Sequence, residues 1–237
     1  MEMVHPLSLI DDDLPAMDDD DYRRGKPSSH KVFGEGVAIL AGDALLTRAF
    51  QVLSRLRRAR SFGADTTAAL VEELSEATGS DGVIGGQVLD LLSEGKTVPR
   101  ATLTYIHRHK TARLFSASTR LGGIAAGAGR GALGSLTRYG EALGMAFQVV
   151  DDILGAAGTF RELGRDPGRD VARGKVTYPS TVGFAASHRA VDRLLGKAKE
   201  EVRRFRDHRE LFWGCLELVD RRRRDRTGRL LEEKDAP

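Results

Sequence analysis

Between Asp11 and Asp21 the chain carries seven aspartates, and Arg23 and Arg24 follow at once. So many carboxylates cannot share a small volume unless a positive charge shares it too, because like charges raise one another's pKa and oppose compaction. A solvated acidic loop is the plain alternative for an isolated run of this kind. Three features weigh against it. The run continues an apolar segment (Val4, Leu7, Leu9, Ile10), so it closes a packed helix. Pro15 drives Leu14 out of helical geometry, so that helix ends there. The arginine pair is suited to bidentate contact with phosphate oxygens. Clustered carboxylate oxygens bind hard divalent cations, and Mg²⁺ commonly bridges a few carboxylates to substrate phosphates. The charges therefore point to a magnesium–diphosphate site.

A matching stretch lies downstream. Gly144–Leu154 reads as an apolar helix that ends in Asp151 and Asp152. Gly144, Gln148, Asp151 and Asp152 recur at steps of three and four and so share a face, with Leu143, Phe147, Val150 and Leu154 opposite. A frayed helix end with solvated acids is the alternative for this pair alone. Two acidic clusters, each closing an apolar helix, favour a shared metal cluster.

With 237 residues the chain has length for one domain with a substantial core, and its formal net charge of +3 gives no bulk signal for nucleic acid. The charge is segregated, acid at 11–21 and base at 203–229. Cys215 is the only cysteine, which excludes an intrachain disulfide and fits a reducing compartment. The first residues show no basic region before an apolar core. No apolar run reads as long enough to span a bilayer. The expectation is a soluble, cytoplasmic protein.

Taken in order, residues 1–14 read as the last turns of a helix without a beginning. Residues 22–34 read as a polar connector. Helices are predicted over 35–56, with a wide apolar stripe (Val37, Leu40, Ala41, Ala44, Leu45, Ala49, Phe50, Val52, Leu53), over 66–78, and over 82–94 with Val83, Ile84, Val88, Leu91 and Leu92 as the apolar side. Over 99–119 a stripe of Leu103, Ile106, Leu114 and Ala117 includes Lys110. That lysine either snorkels to the surface or meets a buried anion. Residues 122–134 read as a glycine-rich link and 155–174 as a loop. Two amphipathic helices fill 186–224, and 232–237 is a disordered tail. No strand run stands out, so the fold class is all-α. The run Arg221–Arg224 has no interleaved aromatics and reads as a solvated or acid-paired face, not as a nucleic-acid contact.

Carboxylate clusters, interior lysines and an arginine pair suit the ionisation of a diphosphate ester. Metal ions neutralise the leaving group, and a dry apolar pocket protects the carbon fragment from water.

The segments Ser8–Gly25, His30–Arg48 (HKVFGEGVAILAGDALLTR), Gly85–Gly95 (GGQVLDLLSEG), Ile106–Thr111 (IHRHKT), Phe147–Leu154 (FQVVDDIL) and Gly174–Pro179 (GKVTYP) together resemble the trans-isoprenyl diphosphate synthase family. The likeness is closest to bacterial farnesyl and geranylgeranyl diphosphate synthases. It implies a single-domain helical bundle over residues 1–231, usually homodimeric, that condenses isopentenyl diphosphate with an allylic diphosphate. It also implies Mg²⁺, three per site, with Mn²⁺ as a substitute. By the same resemblance Asp12, Asp13 and Asp18 match the first metal-holding motif, and Asp151 and Asp152 the second. Arg23 matches a contact to the allylic diphosphate, and Arg24 and His5 contacts to isopentenyl diphosphate. Lys110 and Lys175 match lysines on the allylic diphosphate. Thr111 and Gln148 match polar groups beside the reacting carbons.

The sequence departs from that pattern in places. Gly155 stands where the second motif has a further Asp, which predicts weaker metal binding. Asp11 stands where a His is common, and Pro6 lies inside the helix just upstream, where it removes a backbone hydrogen bond. The family's earlier helices, with a Gly-Gly-Lys-Arg type motif for isopentenyl diphosphate, have no counterpart in the 237 residues, so an N-terminally truncated bundle is expected. Two functions stay open: a prenyltransferase, and a partner-dependent subunit that binds metal–diphosphate without turning over alone. In the family a large aromatic five residues before the first Asp shortens the product. Leu7 holds that position, which favours the longer, geranylgeranyl product.

Overall fold

The helical periodicity is realised along most of the chain. The computed structural model describes residues 1–58, 62–163, 173–205, 207–224 and 228–232. By contact the chain divides into two units, Met1–Ser75 with Thr159–Pro167, and Glu76–Gly158 with Gly168–Pro237.

In the first unit, helix α1 (Val4–Asp13) stops at Leu14, whose φ of −60° and ψ of 149° are the extended geometry that Pro15 imposes. Pro6 sits in the first turn of α1, where backbone N–H groups lack intrahelical acceptors anyway. The predicted loss of a hydrogen bond there is therefore corrected. The expected polar connector is partly ordered structure. Strand β1 (Tyr22–Arg23) pairs antiparallel with β2 (Lys26–Pro27), and helix α2 (Ser29–Phe33) follows. The two-residue loop places Arg24 at φ 54° and Gly25 at φ 75°. Both left-handed positions define the hairpin turn whose twist matches the strands. Gly25 adopts it freely and Arg24 does so under strain.

Helix α3 (Glu35–Arg55) occupies the predicted span and runs into a 3₁₀ turn, Leu56–Arg58. Its burial differs from the expected stripe: Ala38, Gly42 and Ala49 are buried, whereas Val37, Ile39, Leu40 and Val52 are exposed. The small residues dock, because α1 packs closely on this face. A Cβ on Gly42 would lie 2.9 Å from Leu7 Cδ1. Glu35–Arg58 is also long and apolar enough to cross a membrane by length and composition, contrary to the sequence expectation. Helix α4 (Ala64–Thr78) ends before Gly79 as expected.

The second unit is organised on α8 (Arg130–Ala157), which buries Leu143, Ala146, Val149, Val150, Ile153 and Leu154. Before it come α5 (Val83–Ser93), α6 (Arg100–Ile106), a π-helical segment His107–Ala112 and α7 (Arg113–Ala125). The glycine-rich link therefore shrinks to residues 126–129, because both flanking helices extend into it. Helix α5 corrects the sequence reading. Gly86, Gln87 and Ser93 are its buried residues, while Ile84, Val88 and Leu92 face outward. Gly86 explains the inversion: its Cβ would meet Lys110 N at 2.1 Å, so only glycine lets the π segment lie against α5.

The expected loop 155–174 begins late, since α8 runs to Ala157 and α9 (Phe160–Leu163, in the first unit) follows. Gly164, Pro167, Gly168 and Asp170 lie outside the described residues, as do 233–237 of the expected tail. Helices α10 (Tyr178–Val182), α11 (Phe184–Glu201) and α12 (Arg209–Arg222) complete the second unit.

Candidate active site

In the first unit the site is built on the C-terminal end of α1. The backbone N–H of Asp18 donates to Asp12 O at 2.8 Å, which folds the chain after Pro15 back on itself. Two carboxylates six positions apart are thereby carried on one turn. Asp13 is buried and accepts from Arg23 Nε at 2.9 Å, while Arg23 Nη2 reaches Asp20 Oδ2 at 3.2 Å. The hairpin splits the arginine pair: Arg23 turns to these acids, and Arg24 Nη2 donates to His5 Nε2 at 3.0 Å. Burial first, then Arg24, holds the His5 imidazole below its usual range, so it is neutral and accepts.

Burial first, then Asp12 and Asp43, pushes the Asp11 carboxyl up to about 6, and burial also raises Asp13 against the pull of Arg23. Asp11 and Asp13 thus sit buried in a crowd of acids, where a cation would relieve the repulsion. All the donors are hard oxygens, as Mg²⁺ requires. Asp12, Asp13 and Asp18 supply oxygens of that kind, but among the described residues their ligand atoms do not close on one point as a metal-holding group. Among the described residues the group that does is Asp19, Asp21 and His30, whose ligand atoms lie within 4.8 Å of one another, and Lys31 pairs with Asp21 at 2.8 Å.

In the second unit the predicted residues converge. The π segment widens the helical turn and presents Lys110 and Thr111 together; such segments are frequent at functional sites. Thr111 Oγ1 donates to Gln148 Oε1 at 2.5 Å, and Gln148 Nε2 donates to Asp152 Oδ1 at 3.0 Å. Asp152 Oδ2 accepts from the Tyr178 backbone N–H at 2.7 Å and lies 3.2 Å from His107 Nε2. Asp152 is thus 6% exposed with both oxygens engaged, whereas Asp151 is half-buried. The pair lies inside α8, more than a turn before its end, which corrects the expectation that it closes the helix. Gly155 is buried in the same helix.

Lys110 meets an anion, and that anion is protein: its Nζ lies 2.6 Å from Asp90 Oδ2. Lys175 sits half-buried in a tethered segment. Upstream of it, Arg173 pairs with Glu94 at 2.9 Å and Gly174 O accepts from Gly95 N at 3.0 Å. Downstream, Thr177 caps α10.

Sequence reasoning missed Asp90, His107 and Arg222. Asp90 had a signal, since it lies four residues after Gly86 and so on the same helical face. His107 had one three residues before Lys110. Arg222 had none beyond its basic run. Within that run Arg221 pairs with Glu217, Arg222 with Asp151, Arg223 with Asp192 and Asp220, and Arg224 with Asp220, which is the acid-paired face expected.

The fold and these groups define a class: all-α proteins that carry clustered carboxylates, lysines and arginines. The chain belongs to the polyprenyl synthetase family, whose model matches residues 1–211. Arg222 lies beyond that match. The chain is 47% identical over 206 residues to farnesyl diphosphate synthase of Escherichia coli, covering 86% of this chain and 69% of that protein. It is 44% identical over 208 residues to dimethylallyltranstransferase of Fischerella ambigua, covering 87% of this chain and 60% of that protein. The geranyltransferase of Helicobacter pylori, solved with magnesium and isoprenyl diphosphate, superposes with a TM-score of 0.80 at 30% identity, over 92% of this chain and 70% of that one. The chain therefore spans between three fifths and about seven tenths of these proteins.

Proposed function

We propose that the chain serves Mg²⁺-dependent transfer of an allylic prenyl group to isopentenyl diphosphate, giving farnesyl or geranylgeranyl diphosphate. The observation that carries this is the chain Thr111–Gln148–Asp152 beside Lys110, which puts a hydroxyl, an amide, a carboxylate and a cation on adjoining elements of the second unit. In this reading Asp12, Asp13 and Asp18 of the first unit, and Asp151 and Asp152 of the second, would be the residues that hold Mg²⁺. Mg²⁺ held by these carboxylates would supply positive charge to offset the negative charge of a leaving diphosphate.

The chain's own residues do the rest. Lys110, Lys175 and Arg23 hold the allylic diphosphate, Lys110 by exchanging Asp90 for phosphate oxygen. Arg24 and His5 hold isopentenyl diphosphate. Thr111 and Gln148 stand beside the reacting carbons, fixed by one another and by Asp152 so that orientation is set before binding. The exposed apolar faces of α3 and α5 support a homodimer, and the single cysteine supports a cytoplasmic setting.

Purified chain incubated with geranyl diphosphate and labelled isopentenyl diphosphate should give a labelled longer diphosphate that chelation of Mg²⁺ abolishes. No product with or without Mg²⁺, at substrate well above millimolar, would refute turnover by this chain. Gly155 favours a second reading, a subunit that binds metal–diphosphate and turns over only with a partner. Calorimetry showing Mg²⁺-dependent binding without product would select it.

A further inference from the structure

Arg222 ends α12, and its Nη2 lies 3.2 Å from Asp151 Oδ1. Its guanidinium also lies over the Phe147 ring, 4.5 Å from the centroid. Phe147 and Asp151 are one turn apart on α8, so the planar fork covers the ring and reaches the carboxylate at the next turn.

Two further contacts keep this arginine from behaving as an ordinary mobile surface residue. Its neighbour Arg223 is 3% exposed and anchored to Asp192, Asp220 and His188 O, which fixes the end of α12 on α11. Phe147 is itself packed on Phe115, with ring centroids 5.2 Å apart. The backbone that carries Arg222 and the ring it covers are thus both held in place.

We infer that Arg222 is a built-in cation on Asp151, against which a divalent metal must compete, so that metal binds there tightly only together with a diphosphate. This rests on the reading of Asp151 as a metal ligand given above. A guanidinium cannot shed its proton, so a metal arriving at Asp151 either displaces it or sits beside a like charge. A diphosphate changes this balance. Its oxygens offer the displaced fork a bidentate partner at least as good as a carboxylate, and its charge offsets both cations. Metal and diphosphate then favour one another at this carboxylate, and the coupling is reciprocal. Without diphosphate, Arg222 keeps Asp151 compensated and the second motif largely metal-free.

The test is Mn²⁺ titration of the full chain, followed by the electron paramagnetic resonance signal of free Mn²⁺, with and without inorganic diphosphate. Arg222→Gln should tighten Mn²⁺ binding about fivefold in the absence of diphosphate, the scale set by a half-exposed ion pair. In an Asp151→Asn background the same change should have no effect, and with diphosphate present the gain should vanish or reverse. Arg222→Met, which keeps apolar cover on Phe147, should match Arg222→Gln and shows that the effect is charge and not packing. Unchanged Mn²⁺ affinity in both Arg222 variants overturns the inference. So does a gain that survives Asp151→Asn, since that is a general charge effect. A gain that diphosphate leaves intact overturns the coupling. If wild type and every variant fail to bind Mn²⁺, the metal reading itself falls; if wild type binds and the Arg222 variants bind alike, only this inference falls.

Discussion

Lys110 Nζ lies 2.6 Å from Asp90 Oδ2, with both side chains mostly buried, so the chain supplies the lysine with an anion of its own. The contact joins α5 to the π segment at the place where Gly86 lets the two backbones meet. Removing one member of a mostly buried pair strands charge on the other. Asp90→Ala should therefore lower stability by about 1–3 kcal/mol. Asp90→Ala combined with Lys110→Met should lose less than the sum of the single changes. Urea denaturation of the four proteins measures the coupling; strictly additive losses would show that the pair does not hold the segment.

The adjacent acids Asp151 and Asp152 should differ in what they contribute to stability. Asp152→Asn turns one acceptor into a donor facing Gln148, Tyr178 N or His107, which should cost about 1–3 kcal/mol of stability. Asp151→Asn removes a half-exposed contact worth about 1 kcal/mol or less. It should leave the melting temperature nearly unchanged while abolishing Mg²⁺-dependent diphosphate binding. Thermal melts separate the two, while calorimetry should show Mg²⁺-dependent binding impaired in both, since both are read as metal ligands. Equal melting temperatures for the two variants would refute the structural role assigned to Asp152.

Asp11 carries a pH dependence whose sign follows from its raised carboxyl, about 6 against an ordinary 3.8. The folded chain binds that proton more tightly than the unfolded chain does. Metal-free stability should therefore fall as pH rises from about 4 to 6, and recover on acidification. Asp11→Asn removes first the cost of burying a charge there and then the repulsion with Asp12 and Asp43, so it should raise the melting temperature near pH 7, by an amount that shrinks towards pH 4. A gain that does not vary with pH would show that the crowding is not electrostatic.

Leu7 packs against Gly42, whose Cβ would stand 2.9 Å from Leu7 Cδ1. If Leu7 floors the product pocket, Leu7→Phe adds a ring where the growing chain must pass and should shorten the main product. Gly42→Ala crowds the same spot from α3 and should cost about 1–3 kcal/mol unless Leu7 turns away. Product chain lengths from both variants decide it; an unaltered distribution in Leu7→Phe would assign the floor to another side chain.

The sequence by itself determined the all-α class, the end of α1 at Pro15, and the identity of the acids and lysines, because these depend on local periodicity, proline geometry and charge. It also made the pairing of Lys110 with a buried anion one of two stated outcomes. Only the tertiary structure decided which anion that is. Asp90 is twenty residues away, and the contact exists because Gly86 admits the π segment. The same limit reversed the apolar reading of α5 and α3. A stripe of Ile84, Val88 and Leu92, or of Val37 and Leu40, shows that a helix is amphipathic, but not whether its small-residue face packs more closely still. Asp151 and Asp152 are indistinguishable as neighbours in sequence. They diverge because a helix turns by about 100° per residue, aiming one carboxylate at Tyr178 and His107 and bringing the other within reach of Arg222, from a helix whose own sequence held no sign of the contact.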